Sequence, residues 1–139
     1  MIQIIAGEKG KGKTKILIEK ANMAVKEAKG SIIYLDKSNK HMYELSNKIR
    51  LINVKDYYID NYNEFIGFIS GLVSGDHDLE AIYLDSFLKI ANTDAANVEI
   101  IFKKLEILSK EFNVDFVISV SLDEKDISDS AKNYIIVSL

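Results

Sequence analysis

Cysteine, proline and tryptophan are absent from this 139-residue chain, and arginine occurs once, at Arg50. Without cysteine there is no disulfide and no thiolate metal ligand, which fits a reducing compartment, so a cytoplasmic location is expected. Without proline, and with no low-complexity segment or repeat, nothing marks a linker, and a single domain over residues 1–139 is expected. No apolar run approaches the roughly 20 residues that span a bilayer, and no basic stretch precedes the first apolar residues as in a secretory leader. No membrane partner is expected. An excess of positive charge is also missing. Eighteen basic and twenty-one acidic residues leave a net charge of −3, the opposite of a nucleic-acid binder's footprint, so no nucleic acid is expected as partner. The two histidines, His41 and His77, are isolated and lack zinc-ligand spacing, and both read as surface or capping residues.

What is present is a 47% hydrophobic composition arranged as short apolar runs between helical periodicities. Strands are expected at Ile2–Ala6, Ile32–Leu35, Leu51–Val54, Ala81–Leu84, Phe116–Val120 and Tyr134–Val137. Helices are expected from Lys13 to Lys29, ending at Gly30, around Lys40–Ile49, from Asn61 to Gly75, and from Ala95 to Phe112. Asn61 with Glu64 three residues later reads as a capping box. Continuous apolar strands separated by helices imply right-handed crossovers and a mostly parallel sheet with helices on both faces. The expected fold class is three-layer α/β, with five to six strands. In such sheets ligands bind beyond the carboxyl ends of the strands, where Gly7, Asp36, Asp85 and Ser121 fall.

The stretch GEKGKGKT, Gly7 to Thr14, lies between the first strand and the first helix. It has the full phosphate-loop spacing of Gly, four residues, Gly-Lys-Thr. Glycines at Gly7, Gly10 and Gly12 allow a tight loop whose backbone N–H groups point inward, with the positive end of a helix dipole behind them. Gly7, Glu8, Lys9, Gly10, Lys11, Gly12, Lys13 and Thr14 are therefore the candidate cofactor-binding residues, the Glu8 side chain being directed outward. Lys13 would reach the β and γ phosphates, and the Thr14 hydroxyl would ligate Mg²⁺. A second metal group is expected at the end of a neighbouring apolar strand, and Asp85 in AIYLDSF supplies it.

These two motifs resemble the P-loop NTPase superfamily, and the serine after Asp85 resembles its RecA-like branch. The chain also resembles small bacterial P-loop ATP-binding proteins of unassigned function. The resemblance implies ATP and Mg²⁺ as cofactors, and it implies that the strand Phe116–Val120 lies between the loop strand and the Asp85 strand. It further implies a polar sensor of the γ-phosphate on that inserted strand, at Ser121 or Ser119.

Family members place a catalytic glutamate near the end of the strand after the loop's helix. Tyr34–Lys40 contains none, and Asp36 is the carboxylate in that region. Lys13, Asp36 and Ser121 are accordingly the candidate catalytic residues. Arg50 is read as an exposed, ion-paired side chain, or alternatively as a charge lent to a neighbouring subunit. One arginine cannot build the lid of a small nucleotide kinase, and Asn39-Lys40-His41-Met42 lacks the aspartate of a guanine-reading loop. The segment Ser121–Asn133 carries four acidic residues against two lysines and should repel a phosphate backbone. Three readings follow: a minimal ATPase with slow or partner-dependent hydrolysis, acting with a protein partner or as a homo-oligomer; a non-catalytic, nucleotide-responsive regulatory module; and, from the portion GKGKT, a relative of corrinoid adenosyltransferases. The last fits less well, because their second motif continues Asp-Glu where this chain has Asp85-Ser86.

Overall fold

In the computed structural model, which describes all of residues 1–139, six strands carry the apolar runs. They are β1 (Ile2–Ala6), β2 (Ser31–Asp36), β3 (Arg50–Asn53), β4 (Leu79–Leu84), β5 (Asp115–Val120) and β6 (Ile135–Ser138). Their side chains point alternately to opposite faces, and in the central strands both sets are apolar because both faces are covered. Ile4, Ile33, Leu35, Ile82, Leu84, Phe116 and Ile118 enter one core. Ile5, Ile32, Tyr34, Ala81, Tyr83 and Val117 enter the other.

Five helices complete the fold: α1 (Lys13–Glu27), α2 (Tyr62–Gly75), α3 (Phe87–Ile90), α4 (Val98–Phe112) and α5 (Asp129–Lys132). Leu17, Ile18 and Ala21 of α1 pack on the smaller core. Phe65, Ile69 and Val73 of α2, Phe87 and Ile90 of α3, and Val98, Ile101, Phe102 and Leu105 of α4 pack on the larger one. The result is an α/β fold of three layers.

Every strand pairing is parallel, and the order across the sheet is β3-β2-β4-β5-β1-β6. β5 therefore lies between β1 and β4, the order the resemblance implied. Register brings the carboxyl ends level: Ala6 pairs with Val120, Leu84 with Ile118, and Leu35 with Leu84. Residues that follow these four strands meet along one edge.

Four local expectations need correction. Helix α1 stops at Glu27, with Ala28 already extended, so the chain leaves the helix before Gly30. Residues Lys40–Ile49 form turns and no helix. There the Asn22 side chain on α1 donates to the Glu44 carbonyl (2.9 Å) and accepts from the Ser46 N–H (2.8 Å). Leu45 and Ile49 are tucked into the core beneath α1, so tertiary anchoring overrides the local pattern. The helix expected from Ala95 begins as a 3₁₀ turn, Ala95–Asn97, capped by Asp94, before α4 proper. The Asn61 cap forms, its side chain accepting from the Glu64 N–H at 2.9 Å, but Glu64 reaches back to the N–H of Asp60 (2.7 Å) and not to that of Asn61.

Candidate functional site

The loop Gly7–Thr14 leaves β1 at the level carboxyl edge of the sheet and is fastened on both sides. The Gly7 N–H donates to the Leu122 carbonyl at 2.8 Å, and the Ala6 carbonyl accepts from the Leu139 N–H at 2.9 Å. Gly10 and Gly12 adopt φ of 86° and 90°, left-handed values that disfavour a Cβ. No side chain caps α1, and its first turn holds no acidic residue. Its orphan N–H groups and positive dipole end are thus left facing the loop, an arrangement that suits an anion.

Lys13 folds back over this loop, its Nζ donating to the Glu8 carbonyl at 2.9 Å. The side chain is buried, and burial pushes its ammonium below the ordinary lysine value, opposed by the charge of Asp85. Glu8 itself is exposed and contributes its carbonyl alone.

Asp85, one residue beyond β4, is the hub. Its carboxylate is 2% exposed and accepts from Ser119 Oγ (2.6 Å), Tyr34 OH (2.8 Å), the Ser86 N–H (2.9 Å) and Thr14 Oγ1 (3.2 Å). These donors come from β5, β2, the Asp85 turn and α1, so one carboxylate ties four neighbouring segments together. Donation by Thr14 leaves its oxygen lone pairs free beside the carboxylate, two oxygen donors of the kind hard divalent cations take, with no cluster of three acidic or histidine side chains around them. Ser119 also accepts from the Ser86 N–H at 3.0 Å, which commits its hydroxyl to holding Asp85 in place. Ser121 is exposed on the cavity wall.

Asp36, at the end of β2, is 2% exposed. Its Oδ1 accepts from the Lys37 N–H at 2.7 Å, while Oδ2 is buried without a partner. Burial, and then the charge of Asp85, raise its pKa above the ordinary carboxylate value. It does not line the cavity.

That cavity, about 290 Å³, is bounded by Lys9, Gly10, Gly12, Lys13 and Thr14 on the loop side and by Lys37, Asp85, Ser86, Leu88, Lys89, Ser119 and Ser121 opposite. Four lysines meet one carboxylate there, within a chain whose net charge is −3. Gly7, Glu8 and Lys11 stand outside its lining. Neither a protein-family model nor a curated protein matches this chain. The chemistry of the site therefore rests on its own residues. No helix is long and apolar enough to cross a membrane.

Arg50 lies at the opposite edge of the sheet, where β3 begins. It is exposed and makes no ion pair, contrary to the expected pairing. The cavity beside it is larger, about 670 Å³, but it mixes Lys29, Lys48 and Arg50 with Asp76 and Asp78 and holds none of the loop's residues.

Tyr34, Lys37 and Lys89 join the site with no motif in the sequence to mark them. A tyrosine inside an otherwise apolar strand carries a usable signal, because a buried hydroxyl needs a partner. Lys37 and Lys89 carried none among so many lysines.

Proposed function

We propose that this chain is an ATP·Mg²⁺-binding P-loop protein of RecA-like type, with slow or partner-dependent hydrolysis. The observation that carries the proposal is the Thr14–Asp85 hydrogen bond at the mouth of the glycine loop. It couples the residue after the loop lysine to a carboxylate across the inserted strand β5. The uncapped start of α1, the left-handed glycines and the buried Lys13 support the same reading.

In this role the loop N–H groups and Lys13 hold the phosphates, and Ser121 faces them from the opposite wall. Thr14 and Asp85 would hold Mg²⁺; the adjacent hydroxyl and carboxylate are the hard oxygen donors it requires. Bound there, the ion would neutralise charge on the phosphate oxygens. Tyr34 and Ser119 fix the Asp85 carboxylate, so its orientation is set before any ligand arrives. Asp36 is the carboxylate this reading assigns to take the proton of an attacking water, although it lies behind the cavity lining, and its raised pKa brings it closer to the range where a general base works.

A second reading, a nucleotide-responsive module without turnover, is favoured by one observation: Asp36 sits behind the lining and not in it. Phosphate-release assays with MgATP separate the two. Turnover in the native chain, lost in Asp36→Asn while nucleotide affinity persists, supports the ATPase. Tight binding with no phosphate release from the native chain supports the module.

A further inference from the structure

Lysines usually find a carboxylate or point into open solvent, and the ion pairs of this chain follow that habit elsewhere: Lys103 with Glu99, Lys110 with Glu106, Lys132 with Asp129. Lys37, half-buried, and Lys89, exposed, pair with no carboxylate. Both line the 290 Å³ cavity, Lys37 directly after β2 and Lys89 within α3. Their backbones are fixed. The Lys37 N–H is held by Asp36, and the Lys89 N–H by the Ser86 carbonyl at 2.9 Å.

The two side chains line the same cavity, on the wall that follows β2 and β4. The neighbouring Lys37 ammonium is the main cause that holds the pKa of Lys89 below the ordinary lysine value, with the charges of Lys9 and Lys55 adding to it. Gathering like charges without a counter-ion is unfavourable in the free protein, and an anion between them removes the repulsion. The carboxyl ends of β2 and β4 form the wall facing the loop, across β5 from β1. A phosphate chain whose inner groups lie in the loop would present its far end to that wall.

We infer that Lys37 and Lys89 form a clamp for the terminal phosphate of the bound triphosphate, supplied by this chain without a second subunit. The inference rests on the reading of Gly7–Thr14 as a triphosphate site, and it adds what that reading leaves open: how the site distinguishes three phosphates from two. With no arginine near, the charge that meets the terminal group comes from these two lysines.

The test compares dissociation constants of MgATP and MgADP for the native chain, for Lys37→Gln/Lys89→Gln, and for Lys26→Gln/Lys104→Gln. The last pair removes the same charge from exposed positions on α1 and α4, away from the cavity. The clamp predicts that the first double variant loses on the order of tenfold in MgATP affinity, the scale of one charge-assisted hydrogen bond, with MgADP affinity retained. The control pair changes neither. Equal losses for both nucleotides, or no loss for either, overturn the clamp.

Inorganic tripolyphosphate, followed by NMR of the lysine side chains, keeps this test separate from the nucleotide reading. Should the native chain bind neither nucleotide, that reading fails. Shifted Lys37 and Lys89 signals, with the Lys89 titration moved upward, would still establish the lysine pair as an anion clamp. Unshifted signals would overturn it.

Discussion

Asp36 is a buried carboxylate with one oxygen satisfied and the other bare, and its energetics can be read through pH. Its pKa is raised by burial and by Asp85, against smaller opposing effects of the Lys37 N–H, His41 and Lys37. A folded pKa above the unfolded value means that the native state holds the proton more tightly. The associated stability is present below the unfolded carboxylate range and is lost as pH rises through the folded value. Asp36→Asn removes the charge in near-identical shape, so it should be more stable than the native chain at about pH 7, with the gap closing toward about pH 3. Urea unfolding midpoints at both values check this, and a less stable variant at neutral pH would contradict it. Tyr34 makes a complementary case. Its hydroxyl is buried against Asp85, and burial with the nearby carboxylate raises its pKa well above the ordinary tyrosine value, so it stays a donor. Tyr34→Phe should cost about 1–3 kcal/mol in urea unfolding, the usual penalty for stripping a partner from a buried polar group.

Elements differ in how far their own residues determine them. The start of α2 is local chemistry: Asn61 caps the Glu64 N–H, and Asn61→Ala should lower stability by about 1 kcal/mol by the same measurement. The loop is local chemistry too, since the left-handed φ of 90° at Gly12 follows from the glycine the motif requires. Gly12→Ala should cost roughly 1–2 kcal/mol of strain and weaken MgATP binding further, because the N–H groups at the start of α1 shift with it. Calorimetric titration beside an unfolding curve separates the two effects. Other elements were not legible from their own residues. Leu45 and Ile49 have helical spacing, yet the turn conformation of residues 40–49 is set by Asn22, more than twenty positions away. Helix α1 was read two residues too long, because alanine and lysine near Ala28 carry no strong stop signal and the chain turns to meet β2.

At the scale of the whole molecule, six apolar runs, the glycine loop and the strand-end aspartates were enough to place the site at the carboxyl edge of a parallel sheet. The insertion of β5 between β1 and β4 came from resemblance, not from periodicity, since hydrophobic patterning does not specify which strands pair. The candidate residues divide along the same line. Lys13 and Thr14 were found because motif spacing marks them, Asp85 because it ends an apolar strand, and the three line one cavity. The hydrogen bonds of Tyr34 and Ser119 to Asp85, and the placement of Lys37 and Lys89 on one cavity, arise from residues distant in sequence and became visible once the strands were in register.

The central claim is that the loop holds a nucleoside triphosphate. Its most direct test is the thermal unfolding midpoint of the native chain and of Lys13→Ala, each with and without MgATP. At about a hundred times its dissociation constant the ligand adds roughly 2.7 kcal/mol, a rise of several degrees for a domain of this size. We predict that rise in the native chain and its disappearance in Lys13→Ala. A native midpoint that MgATP leaves unmoved, in a protein that unfolds cooperatively, would contradict the claim.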